Sequence, residues 1–336
     1  MKLAVVLFNL GGPDSPEAIE PFLRNLFSDP AILSLPGPIR KPLARLIARR
    51  RAPMAREIYG RIGGRSPIVE ETQAQARALE QRLVQRGVDA RAFIAMRCWH
   101  PFSDGAALAV KNFAPDRIVL LPLYPQYSTT TTESSFKDWN RAAEKAGLQV
   151  PTARVCCFPA DEGFIAALAE SIRQVWARRE PGLRYRLLFS AHGLPERVIR
   201  KGDPYQWQVE KTVEALVEKL GINDLDRVVC YQSRVGPLRW IGPPTDEEIR
   251  RAGAESLGVV VAPVAFVSEH SETLVELDMD YARLAEKSGV PHYLRAATVG
   301  VRATFIDGLA DLVMRAGTGQ NCPMAFARCG FAKGRP

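Results

Sequence analysis

Long apolar runs and a dense set of cysteines are the first features that this sequence lacks. No run of about 18 apolar residues occurs, so no segment is expected to span a membrane. Six cysteines in 336 residues do not make a disulfide framework, and we expect reduced thiols and a cytoplasmic protein. The apolar start, MKLAVVLFNL, is short and leads into Gly-Gly-Pro without a small-residue cleavage pattern. It therefore predicts a first strand rather than a signal peptide.

Several catalytic fingerprints are also missing. The segment NLGGPDSP lacks the Gly-x-Gly-x-x-Gly pattern of dinucleotide-binding enzymes. No Gly-x-Ser-x-Gly elbow of an α/β-hydrolase occurs either. The basic residues come with no aromatic stacking series and no zinc-ligand spacing, so a nucleic-acid partner is not expected.

Charge and length still allow informative predictions. The net charge is +8, and the densest basic cluster covers residues 40–56, RKPLARLIARRRAPMAR. Interleaved Leu and Ile predict an amphipathic basic helix there, for which three interpretations remain: a solvated face, a site for anionic small molecules, or contact with a membrane surface. The length predicts about two domains, and a hydrophobic content of 46% is enough for two cores.

Eight short apolar runs alternate with segments of helical spacing. Most of the runs are continuously hydrophobic, which is typical of strands buried on both faces: residues 3–10, 92–98, 118–123, 153–158, 185–189, 228–231, 259–267 and 292–296. The helical segments are residues 66–87, 163–179, 205–220, 271–287 and 304–315, with extra helical material in residues 14–60. Strand–helix alternation predicts an α/β fold of two doubly wound units, each with a four-stranded parallel sheet, divided near residue 150.

One of only four histidines stands where a predicted strand ends, in LLFSAHGLPER (residues 187–197). A half-buried structural histidine is one interpretation of His192. The other is a functional residue, because ligands of open α/β sheets bind beyond the carboxyl ends of the strands.

A second strand-to-helix junction carries a row of acids at steps of three, four and four: Glu269, Glu272, Glu276 and Asp280. On an α-helix they would share one face, opposite an apolar stripe of Leu274, Leu277, Tyr281 and Ala285. Only Arg283 lies nearby in sequence to offset their repulsion. A surface face and a row that carries cations or protons both remain open. One His and one Glu are too few ligands for a zinc hydrolase, which leaves a weak, open divalent-metal site or an acid–base pair.

Six ordered segments resemble the ferrochelatase family, whose members insert ferrous iron into protoporphyrin IX. They cover nearly the whole chain: NLGGP (9–13), YGRIGGRSPI (59–68), LPLYPQYSTTTTESS (121–135), SAHGLPERVIRKGDPY (190–205), CYQSRVGPLRWIGPPTDE (230–247) and PVAFVSEHSETLVELDMDY (263–281). The resemblance implies two Rossmann-like domains with a porphyrin cleft between them. It assigns residues 1–150 to an N-terminal domain with the porphyrin lip and residues 151–302 to the domain of the catalytic His. The resemblance further implies that residues 303–336 form a helix and tail that pack back on the first domain.

The resemblance also implies roles for individual residues. His192 becomes the acceptor of pyrrole protons, a metal ligand, or both, and Glu272 its partner in catalysis and metal binding. The resemblance assigns the other acids of the row to a proton or metal relay: Glu269, Glu276 and Asp280. Positions that match porphyrin contacts are Arg51, Tyr59, Ser66, Arg97 and Trp240. A neutral imidazole, with an unperturbed pKa of about 6.5, suits proton abstraction near neutral pH.

The sequence departs from relatives that carry a [2Fe–2S] cluster. Thr129 occupies the inner cysteine position of those relatives, and the tail offers only Cys322 and Cys329. Four thiolates usually hold such a cluster, so we expect none. No cofactor is required, since Fe²⁺ is a substrate. The partners are then protoporphyrin IX and ferrous iron, with weak peripheral contact at the inner face of a membrane.

Two alternatives to this function remain. One is a chelatase for another tetrapyrrole or metal, such as coproporphyrin or cobalt. The other is a non-catalytic porphyrin or haem carrier. A carrier needs a ligand for iron but no row of carboxylates, so the acidic residues favour the enzyme.

Overall fold

The computed structural model describes residues 1–317 and 319–321 of the chain. Two compact units divide it, one formed by residues 1–157 together with the chain from Leu309 onward, the other by residues 158–308. Cys322 and Cys329 lie outside the described residues. Within the described residues, no helix combines the length and the apolar character that a membrane span requires.

The first unit is built on a parallel sheet with strand order β2-β1-β3-β4-β9. Its strands are β1 (Lys2–Asn9), β2 (Asp89–Met96), β3 (Arg117–Pro122), β4 (Thr152–Val155) and the short β9 (Gly319–Asn321). Its helices are α1 (Ile19–Ser28), α2 (Gly37–Gly60), α3 (Ile68–Gln85), α4 (Ser103–Phe113) and α5 (Thr132–Ala146). β1 is central and buried along its whole length after Lys2, as its uninterrupted apolar sequence predicts.

The second unit contains a four-stranded parallel sheet with order β6-β5-β7-β8. Its strands are β5 (Tyr185–His192), β6 (Arg227–Gln232), β7 (Gly258–Pro263) and β8 (Tyr293–Arg295). Its α-helices are α6 (Glu162–Trp176), α7 (Glu196–Arg200), α8 (Tyr205–Leu220), α9 (Thr245–Ala254) and α10 (Ala282–Lys287). A π-helix (Glu272–Tyr281) runs directly into α10. The division between the units falls inside α11 (Ala303–Arg315).

The predicted fold class is confirmed, since each of the eight apolar runs overlaps a strand and every strand pair is parallel. Two details differ. β9 adds a fifth strand to the first sheet. The sequence does not predict this strand, because its three residues, flanked by Thr318 and Cys322, carry no apolar signal. The sequence places residues 151–157 in the second domain, but β4 pairs with β3 and so belongs to the first sheet.

The helix predicted over residues 271–287 is wrong in type. Glu272–Tyr281 winds as a π-helix with backbone hydrogen bonds to the fifth residue, and only the last six residues are α-helical. Such helices are rare, and they occur disproportionately at functional sites.

Candidate active site

β5 delivers His192 to the carboxyl end of its sheet. The strand is buried from Tyr185 to Ala191, and His192 is its first part-exposed residue. The next residue, Gly193, donates its backbone N–H to the Gln232 carbonyl at 2.9 Å. A side chain at position 193 would lie 2.9 Å from that carbonyl oxygen, so glycine is required for this close approach.

His192 faces the first residue of the π-helix. Its Nδ1 lies 3.0 Å from Oε2 of Glu272, and Nε2 of His270 lies 3.4 Å from the same oxygen. Burial lowers the pKa of His192, but the Glu272 carboxylate outweighs burial and leaves the pKa above its ordinary value. Burial raises the pKa of Glu272, yet the two histidines hold it well below the usual range. The pair thus joins a carboxylate that stays ionised to an imidazole that gains a proton readily.

Glu276, four residues after Glu272 in the π-helix, has a separate set of partners. The backbone N–H of Ser233 donates to it at 2.9 Å, the amide of Gln232 at 3.1 Å and the Tyr281 hydroxyl at 3.0 Å. The Ser233 hydroxyl donates as well. Burial and the nearby Glu272 carboxylate raise the pKa of Glu276 above its ordinary value, despite the bonds from Ser233. Glu276 is therefore the acid of this cluster best suited to take up a proton.

A buried polar chain holds Gln232 in place. The Ser190 hydroxyl donates to Oε1 of Gln232 at 2.8 Å and lies 2.9 Å from the Thr245 hydroxyl. With its oxygen so engaged, Gln232 directs its amide nitrogen at the carbonyl of Glu272, 3.0 Å away, and at Glu276. The amide orientation is thereby fixed by the network.

The predicted acidic row does not form a single face. Tyr281 was assigned to the opposite, apolar stripe, but its hydroxyl bonds Glu276, because residues five apart are stacked in a π-helix. Glu269 precedes the helix and bonds Nη1 of Arg295 at 2.6 Å. Burial raises the pKa of Glu269, but the Arg295 charge and the hydrogen bonds to Glu269 together outweigh burial, so the pKa lies below its usual value. A second arginine, distant in sequence from the row, therefore offsets its charge in addition to Arg283.

A pocket of about 620 Å³ opens beside the outer end of the row. Glu276, Asp280 and Tyr281 line it from the π-helix, and Arg234 and Trp240 from the segment after β6. The indole nitrogen of Trp240 is buried without a hydrogen-bond partner. The structure thus brings five predicted residues of this unit together: His192, Glu272, Glu276 and, through the shared pocket, Asp280 and Trp240.

Arg97 lies in the first unit, immediately after β2, and is held by buried polar groups. Its Nη2 is 3.0 Å from Asp29, which is 3% exposed, and its Nε donates to the Ser134 hydroxyl at 2.7 Å. Ser134 donates in turn to Asp29 at 2.5 Å. Asp29 and Ser134 therefore fix the position of the guanidinium, and neither residue was predicted from the sequence.

The other predicted residues of the first unit occupy three different environments. Tyr59 is buried in an apolar cluster with Phe22, Ala52 and Cys98. The Arg51 guanidinium lies 5.8 Å from the centre of the Phe27 ring. Ser66 is buried, and a side chain on Gly12 would come within 2.6 Å of it, so Ser66 packs tightly on the NLGGP segment.

Metal binding in the second unit rests on few ligands. Among the described residues, no group of three or more His, Cys, Asp or Glu is arranged to hold a metal ion. The two predicted ligands, His192 and Glu272, lie within hydrogen-bond distance of each other.

Comparison with known proteins identifies the family. The sequence model described as Ferrochelatase matches residues 2–317. The chain belongs to the ferrochelatase family. The prediction drawn from the six motifs is confirmed. A ferrochelatase from Phenylobacterium zucineum is 54% identical over 99% of both chains, and one from Pelagibacter ubique is 46% identical over 98% of both.

Solved structures support the fold of this ferrochelatase family member. SirB from Bacillus subtilis with Fe³⁺ superimposes with a TM-score of 0.54 over all of this chain and 98% of its own, at 13% sequence identity. A cobalt complex of the sirohydrochlorin chelatase SirB gives the same TM-score over 94% of each chain. At these identities the likeness concerns the fold alone.

Proposed function

We propose that this protein inserts Fe²⁺ into protoporphyrin IX to form protohaem, with release of two protons, and that His192 and Glu272 carry the step. The observation that supports it is an imidazole 3.0 Å from a carboxylate at the carboxyl end of β5, in a chain of the ferrochelatase family. Membership of that family makes the protein a porphyrin metal chelatase, a lyase, and does not favour the carrier alternative.

Proton removal is the task of His192. Each of two pyrrole nitrogens must lose its proton before Fe²⁺ can bond all four nitrogens of the ring. A neutral His192 accepts one proton, and the ionised Glu272 stabilises the imidazolium that forms. His192 accepts the second proton after it has released the first toward solvent. The raised pKa of His192 increases the driving force for this transfer. The porphyrin supplies the donor atoms that the two-residue metal site lacks.

Glu276 and Asp280 extend the path toward the pocket. Glu276 has a raised pKa and is bonded by the Tyr281 hydroxyl, so it exchanges protons at a pH where Glu272 stays ionised. Protons and ferrous ions pass between the His192–Glu272 pair and solvent along these carboxylates. Trp240 and, from the first unit, Arg51, Tyr59, Ser66 and Arg97 contact the porphyrin or its propionates.

Haem formation tests the proposal. Purified protein is mixed anaerobically with Fe²⁺ and either protoporphyrin IX or coproporphyrin III, and haem absorption is followed. Faster turnover of protoporphyrin IX supports the proposal. Preference for coproporphyrin III would identify a chelatase for the other tetrapyrrole, and binding of either ring without metal insertion would identify a carrier.

The protein acts in the cytoplasm, with weak contact to the inner face of a membrane through α2. Large aliphatic residues of this helix face outward, opposite its buried alanines: Ile39, Leu46 and Met54 are 58%, 48% and 63% exposed. No acidic residue occurs between Asp29 and Glu57, whereas seven basic residues do. Basic residues near anionic lipid contribute about 1 kcal/mol each.

Two variants of α2 separate substrate binding from lipid binding. We expect Arg51→Ala to raise the KM for porphyrin more than it lowers co-sedimentation with vesicles that contain phosphatidylglycerol. Leu46→Ser, on the outward face, should do the reverse. The opposite ranking for Arg51 would make it a membrane residue.

A further inference from the structure

We propose that Arg295 is a positioning residue for metal insertion, which holds the π-helix so that Glu272 meets His192. This inference rests on the proposed function. It concerns a residue outside every motif of the resemblance, at the end of β8.

The Arg295 guanidinium bridges two acids on either side of Glu272. Its Nη1 donates to Oε1 of Glu269 at 2.6 Å, and its Nε to Oδ1 of Asp278 at 2.7 Å. Nη2 donates to the second oxygen of Asp278, which makes that contact bidentate. Only 11% of the Arg295 side chain is exposed, so water competes weakly for these bonds.

The bridge constrains the chain at two points. Glu269 lies three residues before Glu272, and Asp278 lies six residues after it, inside the π-helix. The backbone N–H of Thr298 also donates to Oε1 of Glu269 at 2.9 Å. Tyr293, two residues before Arg295 on β8, donates its hydroxyl to the Leu277 carbonyl at 2.8 Å. β8 therefore holds the segment that precedes the π-helix and the middle of the helix, and Glu272 lies between these two points.

Arginine is the residue that this geometry requires. Its planar fork of N–H groups bonds one carboxylate with two nitrogens while a third nitrogen reaches another acid. A Lys ammonium is a point charge and cannot make the bidentate contact. The bridge contributes positional accuracy more than stability, because buried ion pairs often do little better than apolar residues of the same size.

This assignment changes the role of Glu269. A relay residue must exchange protons, but Glu269 has a lowered pKa and is engaged by Arg295 and by the Thr298 backbone. Glu269 acts as the anchor of the bridge. Glu276 and Asp280, which line the pocket, remain in the relay.

The test uses the full-length chain and a matched buried arginine. Arg186 on β5 also bridges two acids, with Nε 2.8 Å from Asp226 and Nη2 2.8 Å from Glu255, and its side chain is 9% exposed. Because neither acid belongs to the acidic row, Arg186→Met removes an equivalent bridge without touching the π-helix. Arg295→Met, Arg295→Lys, Arg186→Met and wild type are compared for thermal midpoint, protoporphyrin Kd and kcat, well below the lowest midpoint.

We expect Arg295→Met to lower kcat by at least about tenfold with porphyrin Kd within about twofold, since a displacement of 1 Å at a reacting group costs more than that. Arg295→Lys should recover part of the loss of kcat. Arg186→Met should keep the wild-type kcat although its thermal midpoint falls by about as much as that of Arg295→Met. If Arg186→Met loses as much kcat as Arg295→Met, the role is structural and the inference falls.

A double-mutant cycle keeps the inference testable if Arg295→Met does not fold. Glu269→Gln and Arg295→Lys should be strongly non-additive in kcat, because both open the same bridge. Additive losses would return Glu269 to the relay and contradict the bridge. If wild type itself forms no haem, the proposed function fails instead, and the two failures are told apart.

Discussion

Glu272 sets the protonation behaviour of His192, although burial acts against it. The carboxylate raises the pKa of His192, and the imidazole, with His270, lowers that of Glu272. A base must be unprotonated to accept a proton, so activity falls as pH drops through the pKa of His192. For the wild-type enzyme this acidic limb should lie above about pH 6.5, the value of an unperturbed histidine.

Replacing Glu272 by Gln should move that limb to lower pH. The substitution removes the charge that raises the pKa of His192 and leaves burial, which lowers it. The other groups near the pair, His270 and Glu276, are retained in the variant. The measurement is kcat/KM against pH for both proteins, alongside a loss of turnover in Glu272→Gln. An acidic limb that stays in place or moves up would show that Glu272 does not control the base.

At the scale of single residues, the sequence located the reacting groups but not their supports. The sequence identified His192 because a predicted strand ends at it, and Glu272 because it belongs to a row of regularly spaced acids. Ser233 and Gln232 were missed, although they lie in the CYQSRVGP motif. Their contacts with Glu276 span more than 40 positions, and no local pattern encodes such contacts.

The π-helix determines which acids can cooperate. Glu272 and Glu276 are four residues apart, yet they have different partners, His192 for the first and Ser233 with Gln232 for the second. Sequence spacing predicted a helix correctly and its type wrongly. Steps of three and four match the α-helical period of 3.6 residues, so the spacing itself favoured the wrong winding. The π-helix is contacted by β8 residues that lie outside the segment.

Neutralising the relay should lower turnover in a graded way. We expect Glu276→Gln to reduce kcat severalfold and Asp280→Asn less, with porphyrin affinity nearly unchanged, because water bypasses the outer carboxylate more easily. Glu286→Gln, an exposed acid on α10, is the matched control and should have no effect. Turnover at limiting iron is measured from about pH 6 to about pH 9, which runs from about half a unit below the reference pKa of histidine to about 2.5 units above it. An unaltered kcat in Glu276→Gln would contradict the relay and leave only His192 and Glu272 as the catalytic groups.

At the scale of the whole molecule, the strand pattern was the most predictable feature. Parallel sheets covered on both faces demand continuous apolar runs, and such runs are visible in β1 and β5 without any long-range information. The division between the units was less predictable, because the pairing of β4 with β3 joins segments that are distant in sequence.

The absence of an iron–sulfur cluster stays a prediction. We expect purified protein to contain no stoichiometric iron or acid-labile sulfide, since four thiolates are the usual ligand set. Two thiols do lie together in the first unit, with Sγ of Cys156 and Cys157 3.3 Å apart. Stoichiometric iron and sulfide, lost on Cys156→Ser or Cys322→Ser, would contradict the prediction.

The central claim is that His192 removes the pyrrole protons, and one comparison tests it most directly. Wild type, His192→Ala and His292→Ala are assayed for protoporphyrin binding by fluorescence and for haem formation with Fe²⁺ under anaerobic conditions. His292 contacts Tyr185 at the start of β5, at the other end of the strand from His192, and serves as the matched histidine. The account predicts that all three proteins bind porphyrin, that His292→Ala forms haem, and that His192→Ala is slower by about 100-fold or more, the usual contribution of a general base. Haem formation by folded His192→Ala at a rate near that of wild type would contradict it.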